Sequence, residues 1–379
     1  MKKIVVASDS FKGSLRSGEV AVAVARAVVS VFPDCRTVCL EMADGGEGTL
    51  DALFNSLGGN RIQVEVKDPL GNVILSEYAI VDIPGKGPAA VIEMSKASGL
   101  TLVPPALRNP LNTTTFGTGQ LISDALDRGC RTFLTGIGGS ATNDAGIGML
   151  SALGWRFLDS EGKELPPVGA SLGRICHIDA EGKDPRLDGC TFKTACDVDT
   201  PFCGPEGAAH IFAPQKGAGA RQVEILDAGM ESFAEVIRKA TGTDVKTVTG
   251  AGAAGGLGGA FKAFLHSDLL PGAEMVLDAA GFDTIAEGAD LVITGEGRLD
   301  SQTLLGKAPY SVLRRASKLG IPTVAIAGKV RDKELLEQVG FKDVLCINPP
   351  DMTLETAMRP EVARRNVFET VKEYLSTLP

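Results

Sequence analysis

Four times along this chain a short, mostly apolar run leads into an acidic residue set among small residues and glycine. Asp9-Ser10-Phe11-Lys12-Gly13-Ser14 follows Ile4-Val5-Val6-Ala7, and Asp44-Gly45-Gly46-Glu47-Gly48 follows the run Thr37 to Met42. Asp197-Val198-Asp199 follows the run Phe192 to Cys196, and Gly295-Glu296-Gly297-Arg298-Leu299-Asp300 follows Leu291-Val292-Ile293-Thr294. Runs with this little polarity suit strands buried on both faces of a parallel sheet. In open parallel sheets ligands bind beyond the carboxyl ends of the strands. Any one of these loops has an ordinary reading as a turn or a solvated charge. Four loops of the same kind do not.

A fifth loop adds a different element. Gly136 to Gly148 reads GIGGSATNDAGIG, between the strand-like Thr132-Phe133-Leu134-Thr135 and the helix-like Met149-Leu150-Ser151-Ala152-Leu153. Glycines and small hydroxyl residues at such a junction let backbone N–H groups approach an anion. A helix N-terminus adds partial positive charge. Asp144 in the middle of this loop is foreign to a pure phosphate cradle. It points to a metal ion or a substrate hydroxyl, with helix capping as the plain alternative.

The βα rhythm is strong at both ends of the chain. Strand 4–7, helix 19–32, strand 37–42 and helix 49–57 open it. Strands 291–294, 323–327 and 344–347, helices 309–319 and 333–339, and an amphipathic helix over 360–378 close it. Between them, 61–67 and 72–81 read as a hairpin around Asp68-Pro69-Leu70-Gly71. Gly85-Lys86-Gly87-Pro88 reads as a crossing between domains. This predicts an α/β protein with parallel sheets and two domains, one discontinuous (1–87 plus 286–379) and one inserted (88–285). At 379 residues the chain is long enough for both.

Charge and cysteine usage exclude several classes. The net charge of −9 argues against nucleic acid or an anionic membrane as partner. No apolar run reaches the ~18 residues of a membrane span, and the N-terminal apolar stretch is too short for a signal peptide. The eight cysteines contain no C-x-x-C pair. The chain therefore reads as a reduced, cytoplasmic protein without a structural zinc site.

Phosphoryl transfer calls for this mixture of loops. Backbone N–H groups and hydroxyls cradle phosphates, carboxylates hold Mg²⁺, and Lys or Arg offsets developing charge. A further carboxylate takes the proton of the attacking hydroxyl. Lys12, Arg298 and Lys307 are the cations placed to meet phosphate or a substrate carboxylate. Two decoys exist. Gly250-Ala251-Gly252-Ala253-Ala254-Gly255 matches a dinucleotide fingerprint by letter, but the segment before it is a poor buried strand. Gly306-Lys307 lacks the glycine spacing of a P-loop. A nicotinamide-dependent hydroxy-acid dehydrogenase using Gly136 to Ala141 is the competing enzyme class, and a non-catalytic ligand sensor the competing binding class.

The motifs DSFKGS (9–14), ADGGEGT (43–49), GIGGSATNDAG (136–146), ACDVDTPF (195–202), APQKGA (213–218), GAGAAGGLG (250–258) and TGEGRLDSQTLLGKAP (294–309) together resemble the bacterial glycerate kinases linked to glycerate and glucarate breakdown. The resemblance covers nearly the whole chain in order. It implies ATP- and Mg²⁺-dependent phosphorylation of D-glycerate, at the 2-hydroxyl by preference, with the 3-kinase as the alternative. It also implies a flavodoxin-like domain built from both chain ends, and an inserted domain likened to restriction endonucleases. Ala145 stands where the family often has a second glycine, a change that a helical backbone would tolerate.

Residue roles follow as expectations. Asp197 is the expected general base or metal-positioning carboxylate, with Asp44 as the other candidate. Lys12 and Arg298 are expected to meet the glycerate carboxylate or the γ-phosphate, with Lys307 beside them. Asp9, Ser10, Gly45, Gly46, Gly138, Gly139, Ser140, Thr142 and Gly295 are expected to bind substrate or phosphate. Asp144 is expected at the metal or a substrate hydroxyl, and Glu296 and Asp300 at the metal or the ribose. The partner is a small molecule, and the state a monomer or homodimer.

Overall fold

The computed structural model describes residues 1–46, 48–83, 85 and 87–378. The loop residue Glu47 and the crossing residue Lys86 named above lie outside the described residues. The strands are β1 (Lys3–Ser8), β2 (Arg36–Glu41), β3 (Asn60–Lys67), β4 (Val73–Ile83), β5 (Gly87–Glu93), β6 (Thr132–Gly136), β7 (Arg156–Leu158), β8 (His177–Asp179), β9 (Thr191–Ala195), β10 (Asp268–Leu270), β11 (Leu291–Leu299), β12 (Thr323–Val330) and β13 (Asp343–Cys346).

The chain divides into two compact units. The terminal unit holds Met1–Asp44, Asp51–Leu57 and the residues from Pro271 onward. Its five strands run in the order β13-β12-β11-β1-β2, and every pairing is parallel. Numbered within the unit this is 2-1-3-4-5, the flavodoxin-like order, with the switch point between β1 and β11. Ile4 to Ala7 are fully buried, as a central parallel strand requires. Ile4, Val6, Ile293 and Ile326 pack on the helices Ser17–Val31 and Pro360–Ser376. Ala325, Ala327 and Val344 share a second cluster with Leu313 and Leu336 of the helices Ala308–Lys318 and Lys333–Gln338. The sheet is thus covered on both faces, and its strand ends are left as the place for chemistry.

The inserted unit holds Gly45–Leu50 and Gly58–Leu270. Its six-stranded sheet has the order β10-β9-β6-β5-β4-β3, antiparallel from β3 to β5 and parallel from β5 to β10. In its core Phe133 of β6 stacks on Phe192 of β9, with ring centroids 4.6 Å apart. The register pairs Glu93 with Gly136 and Gly136 with Ala195, so β5, β6 and β9 end level with one another.

The expected domain limits differ from these units at both ends. The hairpin at 60–83 joins the inserted unit, because β4 pairs with β5 and β5 with β6. Residues 271–285 join the terminal unit, because Arg315 binds Glu274, Asp278 and Asp283. Among the described residues, no helix is long and apolar enough to cross a membrane.

Candidate functional site

The terminal unit places an acidic cluster at its switch point. β1 stops at Ser8, opposite Gly295, while β11 continues to Leu299 against β12. The GEGRL segment, read from sequence as a loop, is therefore a strand extension; Glu296 pairs with Ala327 and Arg298 with Lys329. The Asp9 amide donates to the Gly295 carbonyl at 2.9 Å, and the Ser10 amide donates to Asp9 Oδ1 at 2.6 Å. Asp9 is 7% exposed. Burial first, then the charge of Asp44, push its pKa up to about 7; the Ser10 amide and Lys12 pull the other way, and Glu296 adds to the rise.

Lys12 reaches the same place from the loop after β1, with Nζ 2.6 Å from Asp44 Oδ2. Desolvation beside the cluster lowers the Lys12 pKa, but the Asp44 hydrogen bond and charge, with Asp9 and Glu296 behind them, raise it above the ordinary lysine value. Burial raises the pKa of Glu296, against the Thr303 hydroxyl that donates to it at 2.8 Å and Lys307 at 3.5 Å. Asp300 and Arg298 do something else. Asp300 accepts from the Gln302 amide and pairs with Arg298 at 2.7 Å, so it caps the turn Ser301–Leu305. That is a sufficient reason for its burial without a metal.

The inserted unit builds its loop cluster from GIGGSATND and from Gly45, Gly46 and Gly48. The Gly138 amide donates to the Gly45 carbonyl at 3.4 Å, and the Gly48 amide to Glu93 Oε1 at 2.6 Å. The approach is close: a Cβ at Gly136 would lie 2.7 Å from the Gly45 carbonyl oxygen, and one at Gly138 would lie 2.7 Å from Gly46 Cα. Ser98 and Gly139 fix the loop edge, through Ala141 N to Ser98 O at 2.9 Å and Leu100 N to Gly139 O at 2.9 Å. The GAGAAGG run, matching a dinucleotide fingerprint by letter, packs against this loop: Gly255 O accepts from the Ala145 amide at 3.0 Å.

Asp144 is fully buried and committed. Its carboxylate accepts from the Thr115 amide at 2.7 Å, the Thr115 hydroxyl at 2.8 Å, and the Gly146 and Gly148 amides at 3.2 Å each. Burial raises its pKa, and these four bonds lower it. The carboxylate ties the loop to the helix start at Phe116, a structural role sufficient to account for its burial. Ala145 has φ +48°, so its backbone is left-handed rather than helical as expected. Asp197 is exposed beyond the end of β9.

Asp9, Lys12, Asp44, Glu296 and Lys307 thus come together in one unit, with Ser10 and Gly295 beside them. Gly45, Gly46, Gly138, Gly139, Ser140 and Thr142 come together in the other. Two residues escaped the sequence reading. Glu93 ends the apolar run Ala89 to Ile92 and is 2% exposed. Lys216, quoted only within APQKGA, is fully buried with Nζ 2.6 Å from Ser140 Oγ and 2.6 Å from the Thr142 carbonyl oxygen. An acid at a strand end was a usable signal for Glu93. The left-handed Gly217 that turns Lys216 inward has no comparable mark.

Comparison with known proteins agrees along the full length. The family model described as the glycerate kinase family matches residues 4–378. A glycerate kinase of Bacillus subtilis (strain 168) is 45% identical over 374 residues, 98% of this chain and 94% of that one. A glycerate 2-kinase of Escherichia coli (strain K12) is 44% identical over 377 residues, 99% of this chain and 98% of that one. A solved structure from Salmonella typhimurium LT2, described as a candidate glycerate kinase 2, superposes with a TM-score of 0.89 at 42% identity, covering 100% of this chain and 98% of that one.

Proposed function

The chain belongs to the glycerate kinase family, and from that premise we propose that it transfers the γ-phosphoryl group of ATP to the 2-hydroxyl of D-glycerate. The observation that carries this reading is Asp9 at the switch point, a carboxylate only 7% exposed whose pKa is raised chiefly by burial. A base with a pKa near the operating pH is suited to take a hydroxyl proton. The hydroxyl oxygen forms the new bond to the γ-phosphorus, the bond from that phosphorus to the bridging oxygen breaks, ADP leaves, and the proton goes to Asp9. Lys12 and Lys307 offset charge on the transferring group. The name of the E. coli relative, glycerate 2-kinase, supports the 2-position.

Mg²⁺ fits the terminal cluster in one form. Among the described residues no three His, Cys, Asp or Glu side chains are arranged to hold a metal ion together. Mg²⁺ does not need such a cage, since it commonly takes one or two carboxylates, waters and substrate phosphates. Asp44 and Glu296 are all-oxygen donors that raise the pKa of Asp9 by their charge, a repulsion that a divalent cation relieves. They would hold the ion, which supplies charge neutralisation on the phosphates. Asp197 is the second reading for the base, since β9 ends beside β6 and carries it there. With eight unpaired cysteines, we place the enzyme in a reducing cytoplasm.

The test is ADP release dependent on D-glycerate, with the product isomer read by phosphorus NMR. Release of ADP with a 2-phosphoglycerate signal is expected. No glycerate-dependent ADP would overturn the activity, and a 3-phosphoglycerate signal would overturn the position.

A further inference from the structure

Lys216 ends the turn Pro214–Lys216, and Gly217 at φ +95° closes it. Its Nζ touches Ser140 Oγ and the Thr142 carbonyl oxygen, the Phe212 ring centroid lies 5.9 Å from it, and Asp144 is the charged group that faces it. An ammonium has three donors and no acceptor. At Ser140, therefore, the oxygen must accept, and the hydroxyl hydrogen is left to point elsewhere. A neutral lysine could take that hydrogen instead. The charge on Lys216 decides whether Ser140 offers its surroundings a donor or a lone pair. In the same loop, Thr142 Oγ1 and Asn143 Oδ1 are buried with no hydrogen-bond partner among the described residues. Such atoms call for an explanation, and a ligand at the loop is one.

We propose that Lys216 is a positioning residue for this reaction: its ammonium fixes Ser140 as a hydrogen-bond donor to an anionic oxygen bound at the Gly138–Thr142 loop. The anionic oxygen belongs to an ATP phosphate or to the glycerate carboxylate. The inference rests on the kinase reading for its ligands, and on the buried contacts for its geometry. Burial lowers the Lys216 pKa to about 7 against the opposing charge of Asp144, so the donor state weakens above neutral pH. A bound anion favours the ammonium, and binding above pH 7 takes up a proton.

The experiment is calorimetric binding of MgATP and of D-glycerate, measured separately at pH 8 in buffers of different ionisation enthalpy. Wild type, Lys216→Met and Ser140→Ala are compared. For one of the two ligands, wild type is expected to take up protons and Lys216→Met to lose that uptake; comparison with the variant removes other groups titrating near 7, Asp9 among them. Both variants should weaken that ligand about tenfold or more, and the double variant should be no worse than the weaker single. The ligand that responds identifies the anion. Unchanged affinity of both ligands in Ser140→Ala, a variant that removes only a hydroxyl, overturns the proposal, as does proton uptake as large in Lys216→Met as in wild type. These readings do not depend on turnover, so absence of ADP release would sink the kinase reading alone.

Discussion

Lys12 Nζ sits 2.6 Å from Asp44 Oδ2, yet the lysine side chain is 73% exposed. Exposed pairs of this kind contribute little to stability. The pair is therefore better explained by what it holds ready than by what it stabilises. Lys12→Ala should leave the melting temperature almost unchanged and raise KM for MgATP or D-glycerate about tenfold, equivalent to about 1.4 kcal/mol. Steady-state kinetics beside a thermal melt checks this. Unchanged KM for both substrates would remove Lys12 from binding.

Asp9→Asn keeps the size of the side chain and its place beside the Ser10 amide, and removes the base. A positioned general base contributes on the order of 10²–10⁴ in rate. The expected result is a fall in kcat of that order with circular dichroism unchanged. The same substitution at Asp197 should cost far less. If Asp197→Asn abolishes turnover while Asp9→Asn does not, the base lies beyond β9.

The acidic cluster was legible because its members sit just past mostly apolar runs. Asp9 and Glu296 follow the buried runs of β1 and β11, and Asp44 follows the edge strand β2, most of which is half-buried or exposed. The limits of legibility are tertiary. Gly295-Glu296-Gly297 has the composition of a turn, and only pairing with β12 extends it as a strand. The hairpin at 60–83 follows a strand and helix of the terminal unit in sequence, but its partner β5 lies further along the chain. Lys216 carries no mark of its own in the sequence, and its burial under Ser140 depends on a turn closed by the left-handed Gly217. At Ala145 the glycine common in the family was the sign of a positive φ, a conformation costing roughly 1–2 kcal/mol for a residue with a Cβ.

Asp144 tests the division between structural and chemical acids. Replacing it by Asn turns one acceptor oxygen into a donor, facing amides that also donate. Leaving such buried donors unpaired costs roughly 1–3 kcal/mol, more where a charge took part. Asp144→Asn should therefore destabilise the inserted unit by roughly 2–4 kcal/mol in urea unfolding. The Mg²⁺ concentration needed for half-maximal activity should not move in whatever folded enzyme remains. A large shift in that concentration with intact stability would restore Asp144 to the metal.

Lys216 gives stability and binding opposite responses to pH. Its folded pKa, lowered to about 7 chiefly by burial, lies below the ordinary lysine value. Between about 7 and 10.4 the unfolded chain keeps a proton that the folded protein has released. Stability contributed by this group is therefore least below pH 7 and grows as pH rises through that window, at no more than about 1.4 kcal/mol per pH unit. The stability of wild type relative to Lys216→Met should accordingly climb between pH 7 and pH 9, measured by urea unfolding. Over the same interval the advantage of wild type in anion binding should shrink. A lysine that merely filled the core would produce the first trend without the second. A stability difference flat across this range would mean that Lys216 does not titrate there.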